Sequence, residues 1–386
     1  MAIAIPNDEF AARISRVQQT LREQNLDALL VHSHEADFAN VRYLSNYWPI
    51  FETAGVLIPA EGEAALIIGP ESMTFARDRS KLPMIRRILE YRESADPEYP
   101  GVELDTFGSI LKEMGVTPNR LGLCGASLMP VTVYQALLRD VPAENIVKAD
   151  DVVVDLRIIK SEAELACLRE AFRISEVALQ AVLAEIRPGM TELQVVGLAQ
   201  RALYENGAEY EGHPVYVLSG IASTHAIGRP SHRVLERGDY VQLNIGARVS
   251  GYSSSLGLPL CLGPMTEDMR RLTEVGLEAH YKTMEWMKAG VIANEVVFKF
   301  EEFVKAAGCG ENLLYGPCHG LGMMEVERPW MESISTYPLQ ENMTFQVDTF
   351  LYAPTFGLRW ENGVRVTATG VEKLASPKFE VLELDF

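Results

Sequence analysis

Apolar residues at the start of the chain recur with helical spacing. Phe10, Ile14, Val17 and Leu21 lie four, three and four positions apart, the single stripe of an amphipathic helix. The period then shortens. Residues 26–33 (LDALLVHS) form a compact apolar run that predicts a buried strand, and the aromatic-rich run 41–48 (VRYLSNYW) follows. Residues 55–69 read as a hairpin folded about Ala60-Glu61-Gly62, and residues 121–125 as another buried strand. Strands and helices alternate to about Asp155, which predicts an α/β domain over residues 1–155.

Beyond that point the helical period takes over. Ser161 with Glu164 three residues on is a capping box, and Leu165, Leu168, Ala171, Ile174 and Ala178 mark one face of a long helix. Pro188-Gly189 stops it, and Thr191 caps a second helix that ends before Gly207. After His213 the chain turns to strand, in VYVLSG and DYVQLNIGARVSGY, with helices near residues 267–288 and 294–307 before strand returns. Residues 156–386 are thus expected to form a second, α+β domain.

The stretch 343–361 (MTFQVDTFLYAPTFGLRWE) concentrates the candidate chemistry. Thr344, Gln346 and Asp348 alternate with Phe345 and Val347, so Asp348 points to the polar face of a strand. Glu361 sits on a second strand that continues into the β-branched run Val364–Val366. Two carboxylates converging from neighbouring strands need a metal, a cation or a proton between them.

Composition narrows the possible partners. Of 386 residues, 47% are hydrophobic and 23% charged, the balance of a soluble globular protein. The net charge of −18 argues against nucleic acid and anionic membrane as partners, because a phosphate-binding surface must be basic. No apolar run approaches the roughly 20 residues that span a bilayer, and no secretory pattern opens the sequence. Five scattered cysteines without a CxxC pair fit reduced thiols and a cytoplasmic setting. Cys318, beside His319, reads as a small buried residue in a tight turn.

An ordered series of motifs then resembles the creatinase/prolidase/methionine-aminopeptidase superfamily, the pita-bread fold. The series is LRIIKSEAEL (156–165), RPGMTE (187–192), RVLERGDYVQLNIGARVSGY (233–252), HGLGMMEVERP (319–329), and ENMTFQVD with GLRWENGVRVTATGVEKL between 341 and 374. The first domain is similar to the creatinase-type N-terminal domain. The resemblance implies a homodimer in which the aromatic run carrying Arg42 completes the partner's site.

The metallopeptidase branch implies two ions on five ligands. By position these are Asn244, Ser255, His319, Asp348 and Glu361, so two carboxylates of the set are missing and a third is shortened. Val326 stands where a substrate-side histidine is implied, although Glu327 keeps an acid beside it. The resemblance therefore implies no two-ion centre, while one divalent ion on His319, Asp348 and Glu361 stays open. Creatinase implies a metal-free route with a histidine as proton shuttle. That histidine would fall on Ile227, with His225 two residues earlier and His232 five later, and a carboxylate of that enzyme would fall on Gly257.

The main expectation is a creatinase-like, metal-independent hydrolase of a C–N bond in a small cationic compound. His319, Asp348, Glu361 and either His225 or His232 would carry the chemistry, and Tyr252, Glu327, Asn244, Ser255 and Arg42 would hold the substrate. Two alternatives remain: a single-metal Xaa-Pro dipeptidase or aminopeptidase, and a non-catalytic binding protein. Asp348 and Glu361 also admit a plainer use, ion pairing with Arg359 or Arg365.

Overall fold

The computed structural model describes residues 3–376 and 379–386. The chain divides into two compact units, one spanning Ile5–Arg157 and the other combining Ile158–Phe386 with the residues ahead of Ile5, a boundary two residues later than expected.

In the first unit, six strands form a mixed sheet in the order Met84–Arg87, Ala65–Ile68, Ala54–Pro59, Ala28–Ser33, Leu121–Cys124, Ile146–Lys148. The hairpin pairs Ala54 with Ile68 and Leu57 with Ala65, with Gly62 at φ 108° in the turn. The helix Asn7–Glu23 buries Phe10, Val17 and Leu21 as its stripe requires, and also Arg13. That arginine is held by the Tyr43 carbonyl at 2.9 Å, Glu9 at 2.7 Å and the Tyr43 ring, whose centroid lies 3.9 Å from the guanidinium carbon. The run 41–48 is partly helical, within Ala39–Ser45.

The second unit is built on a nine-stranded sheet. Its main path runs Glu327–Met331, Cys318–Gly320, Thr344–Tyr352, Gly357–Val366, Leu256–Cys261, Tyr240–Ile245, Tyr216–Ser219, each antiparallel to its neighbour. The capping box forms: Ser161 Oγ accepts from the Glu164 N–H at 3.2 Å and Glu164 Oε2 from the Ser161 N–H at 2.6 Å, opening the helix Glu162–Glu185. Thr191 caps Glu192–Glu205 in the same way.

The two central strands are buried on both faces. On one face Phe345, Val347, Val364 and Val366 join a core with Met284, Val296 and Val297 from two helices. On the other face Gln346 and Asp348 project with Glu361, which stands directly across from Asp348 in the register. The helix Glu267–Trp286 approaches the sheet closely at Gly276, where a Cβ would lie 2.8 Å from Leu358 Cδ1 and 3.3 Å from Trp360 Cδ1. The Trp360 indole N–H donates to the Thr273 carbonyl at 3.1 Å, fixing the same contact.

Gly276→Val overfills this contact. Urea unfolding should show a loss of about 1–3 kcal/mol; an unchanged midpoint would show that the helix does not depend on the glycine.

Candidate active site

The polar face of the second sheet forms the floor of a cavity of about 380 Å³. Central strands deliver Asp348 and Glu361, the short strand Cys318–Gly320 delivers His319, Asn244 comes from Tyr240–Ile245, and Ser255 stands just ahead of Leu256–Cys261. Gly257 leaves room for this convergence, since a Cβ there would lie 2.6 Å from Glu361 Cβ. The position therefore has no space for the carboxylate that the creatinase resemblance implies.

Glu361 is the most heavily bonded group. Its Oε2 accepts from the Asn244 amide and from the Ser255 hydroxyl at 2.9 Å, and its Oε1 accepts from Gln346 Nε2 at 3.0 Å. Burial alone would raise its pKa. Arg359, His319 and a hydrogen bond from Glu325 outweigh that, and Glu361 is held below the ordinary carboxylate value. Glu325 goes the other way: burial, then the charge and hydrogen bond of Glu361, push its pKa well above 4.5. Their surroundings thus favour the protonated form of Glu325 and the ionised form of Glu361.

Asp348 has its own cation. Arg359 Nε lies 3.1 Å from Asp348 Oδ1, off the line of a good hydrogen bond, while Tyr315 O–H donates to Oδ2 at 2.7 Å. Arg359 also donates to the Tyr315 hydroxyl at 2.8 Å and to the Ala226 carbonyl at 2.7 Å. Burial raises the Asp348 pKa and Arg359 partly offsets it. The ion pairing foreseen as the plainer use of these acids is present with Arg359. Arg365 instead pairs with Glu372 at 3.0 Å.

Two histidines face the cavity. His319 Nδ1 meets the Gly320 carbonyl at 3.1 Å; a carbonyl can only accept, so Nδ1 carries hydrogen and Nε2 is left towards Glu325, 3.7 Å away. By the same reasoning His213 Nδ1–H donates to the Pro214 carbonyl at 2.7 Å. Its Nε2 then faces Ser255 Oγ at 3.0 Å, and burial lowers its pKa, so it is neutral. The single hydroxyl proton of Ser255 is shared between His213 and Glu361.

Several expected site residues lie elsewhere. His225 and His232 are exposed and outside the cavity lining; His225 closes a turn whose next residues, Ala226 and Ile227, are the ones that reach it. Tyr252 is buried and donates to Glu164 Oε1 at 2.5 Å, a bond within the protein rather than to a substrate. Glu327 is buried against Lys160 Nζ at 3.0 Å. The register shift between His319 and Gly320 and the loop that follows turn Glu325, not Glu327, into the cavity. Arg42 belongs to the first unit, where its guanidinium carbon lies 5.6 Å from the Phe38 ring and 5.2 Å from the Trp48 ring. Cys318 is buried behind His319, as its small size suggested. Glu325, His213, Tyr216 and Tyr315 were not foreseen. The acid alternation in EVERP and the histidine just ahead of VYVLSG were the available signals for the first two.

Two family models match the chain: metallopeptidase family M24 over residues 166–368, and the creatinase/prolidase N-terminal domain over residues 13–159. The first covers more than half of the sequence. The chain belongs to metallopeptidase family M24. The Xaa-Pro dipeptidases of Pyrococcus horikoshii and Pyrococcus furiosus are each 27% identical to it, over 97% and 96% of this chain and 100% and 99% of their own lengths. An Xaa-Pro dipeptidase structure from Bacillus anthracis aligns with a TM-score of 0.83 at 25% identity, covering 97% of this chain and 100% of that one. The M24 chain therefore has the prolidase-type pita-bread fold behind a creatinase-type domain.

The two-ion set of the resemblance does not fit this floor. Asn244 and Ser255 supply no carboxylate and turn their N–H and O–H hydrogens onto a Glu361 oxygen. A one-ion set is present: His319, Asp348 and Glu361 offer an imidazole nitrogen and two carboxylate oxygens within 4.8 Å of one another.

The proton on Glu325 has a consequence for stability. A carboxyl whose folded pKa is raised above its ordinary 4.5 contributes stability that is full below that value and is lost as pH rises through the folded one. Glu325→Gln removes this slope. Urea midpoints measured between about pH 5 and pH 8 should fall less with pH in the variant than in the parent; parallel profiles would place the proton elsewhere.

Proposed function

We propose that this M24 protein hydrolyses the amide C–N bond of a dipeptide-sized substrate, in the manner of an Xaa-Pro peptidase. The hydrolytic reading rests on Glu325 and Glu361, two buried acids on the cavity floor whose pKa values their surroundings push in opposite directions. Environments that push two acids apart in pKa assign their roles. Glu325 gives its proton to the departing nitrogen and regains one from the attacking water, while the ionised Glu361 holds that water in place. Arg359, kept charged by Asp348, stabilises negative charge developing on the carbonyl oxygen. A divalent ion held by His319, Asp348 and Glu361 would polarise the carbonyl and make its bound water more acidic. The substrate class is supported by end-to-end likeness to Xaa-Pro dipeptidases.

The creatinase-like reading drew on acids that lacked a cation and would seek one on the substrate. Arg359 already stands beside Asp348, so that need is met within the protein. A charged guanidine or amine gains less here than the sequence suggested, and a neutral amide fits better.

Protein purified without chelator, with its metal content measured, would be assayed on Xaa-Pro dipeptides and on creatine-like ureas and guanidines. Cleavage of the dipeptides is expected, with kcat falling about 10²-fold or more in Glu325→Gln, the usual cost of a lost general acid. Turnover of the guanidines alone, or dipeptide cleavage indifferent to Glu325, would overturn the reading.

A further inference from the structure

One buried carboxylate of the second unit lies outside the cavity and serves a loop that reaches it. Glu192 opens the helix Glu192–Glu205, just after its Thr191 cap, and is almost fully buried. Its two oxygens take four hydrogen bonds from the two ends of one loop. Oε1 accepts from the Ser219 N–H at 2.8 Å and the Ser219 hydroxyl at 2.6 Å, and Oε2 from the Ser231 N–H and hydroxyl, both at 2.8 Å. A carboxylate offers about four acceptor sites, so its capacity is filled. Ser219 Oγ in turn accepts from Arg233 Nη1 at 2.7 Å, and Arg233 is paired with Asp239 at 2.6 Å. The return leg is also bonded to the first turn of the helix. The Glu192 N–H donates to the Arg233 carbonyl at 3.0 Å, and the Leu193 N–H to the Ser231 carbonyl at 3.3 Å.

Between these tied ends the loop rests on the strand Gly357–Val366, which carries Arg359 and Glu361. Ser223 Oγ accepts from the Gly357 N–H at 3.0 Å, and a Cβ at Gly357 would lie 2.6 Å from the Ser223 carbonyl oxygen, so only glycine admits this approach. Ala226 and Ile227 then line the cavity, and the Ala226 carbonyl accepts from Arg359 Nη2 at 2.7 Å. The same nitrogen donates to the Tyr315 hydroxyl at 2.8 Å. We propose that Glu192 is a positioning residue: by tying Ser219 to Ser231 it holds the Ala226 carbonyl where it fixes the Arg359 guanidinium between the loop and Asp348. An irregular loop has many conformations of similar energy, and closing both ends on one carboxylate removes many of them. Charge-assisted hydrogen bonds are strong enough to do so. The geometric claim stands apart from the peptidase reading, and only its kinetic consequence rests on that reading.

Two variants open the tie. Glu192→Gln keeps the size but turns one accepting oxygen into a donor, and Ser231→Ala removes a hydroxyl at an exposed residue. Ser231→Thr keeps that hydroxyl and serves as the rescue. In full-length protein carrying isotope-labelled arginine, the Arg359 side-chain resonance is assigned by its loss in Arg359→Lys, and its hydrogen exchange is read without substrate. Exchange at Arg359 should quicken about tenfold in Glu192→Gln and in Ser231→Ala, the equivalent of one hydrogen bond to a charged group. Ser231→Thr should match the parent, and Arg13, buried in the first unit, should be unmoved throughout. In dipeptide cleavage, kcat should fall about tenfold in Glu192→Gln and no further when that change is added to Arg359→Lys, since both act through one group. Arg359 exchange unchanged in either variant, equal acceleration at Arg13, Ser231→Thr behaving as Ser231→Ala, or kcat losses that multiply would each overturn the proposal. Faster exchange confined to Arg359 in a protein that cleaves no dipeptide would sustain the positioning role and refute the peptidase reading.

Discussion

Two buried carboxylates held side by side cannot both stay ionised without compensation, and the second domain is arranged around that constraint. Asp348 and Glu361 face each other across the two central strands. The protein compensates them separately. Asp348 receives Arg359 and the Tyr315 hydroxyl, and Glu361 receives three hydrogen bonds from Asn244, Ser255 and Gln346 beside Glu325, whose own pKa is raised. Gln346 and Arg359 lie on the two central strands themselves, but Asn244, Ser255, Tyr315 and Glu325 come from elsewhere in the chain, so the floor is complete only when the sheet is assembled.

That dependence explains what could be read from residues alone. Elements with local signals were legible. The capping box at Ser161, the cap at Thr191 and the 55–69 hairpin are set by side chains a few residues apart, and all three form. Alternation placed Asp348 on the polar face, and a family resemblance placed His319, Asn244, Ser255 and Glu361 around it. The failures were positional. His225 and Ile227 are two residues apart in an irregular loop, and no periodicity says which reaches the cavity. Glu325 and Glu327 are likewise two apart, and a bulge at His319/Gly320 decides between them. Arg13 buried in a helix stripe was hidden for another reason, because a charged residue looks exposed until its partner is known.

The likeness to Xaa-Pro dipeptidases covers the whole chain, yet the floor differs from the two-ion pattern at the positions that matter most for charge. The scaffold is tolerant because its buried apolar face and the close approach at Gly276 do not involve the floor residues. Chemistry can therefore change on one face of the sheet while packing on the other keeps the fold.

The hydrogen bonds from Asn244 and Ser255 to Glu361 bear on the mutational paths open to this protein. Aspartate introduced at Ser255 alone would set an unpaired carboxylate against Glu361, and aspartate at Asn244 alone would replace a donor by a repelling acceptor. Either step is costly in a buried site and useful only once the other and a second cation are in place. Each single aspartate is therefore unfavourable in the present floor, and the two positions are coupled through the carboxylate they share.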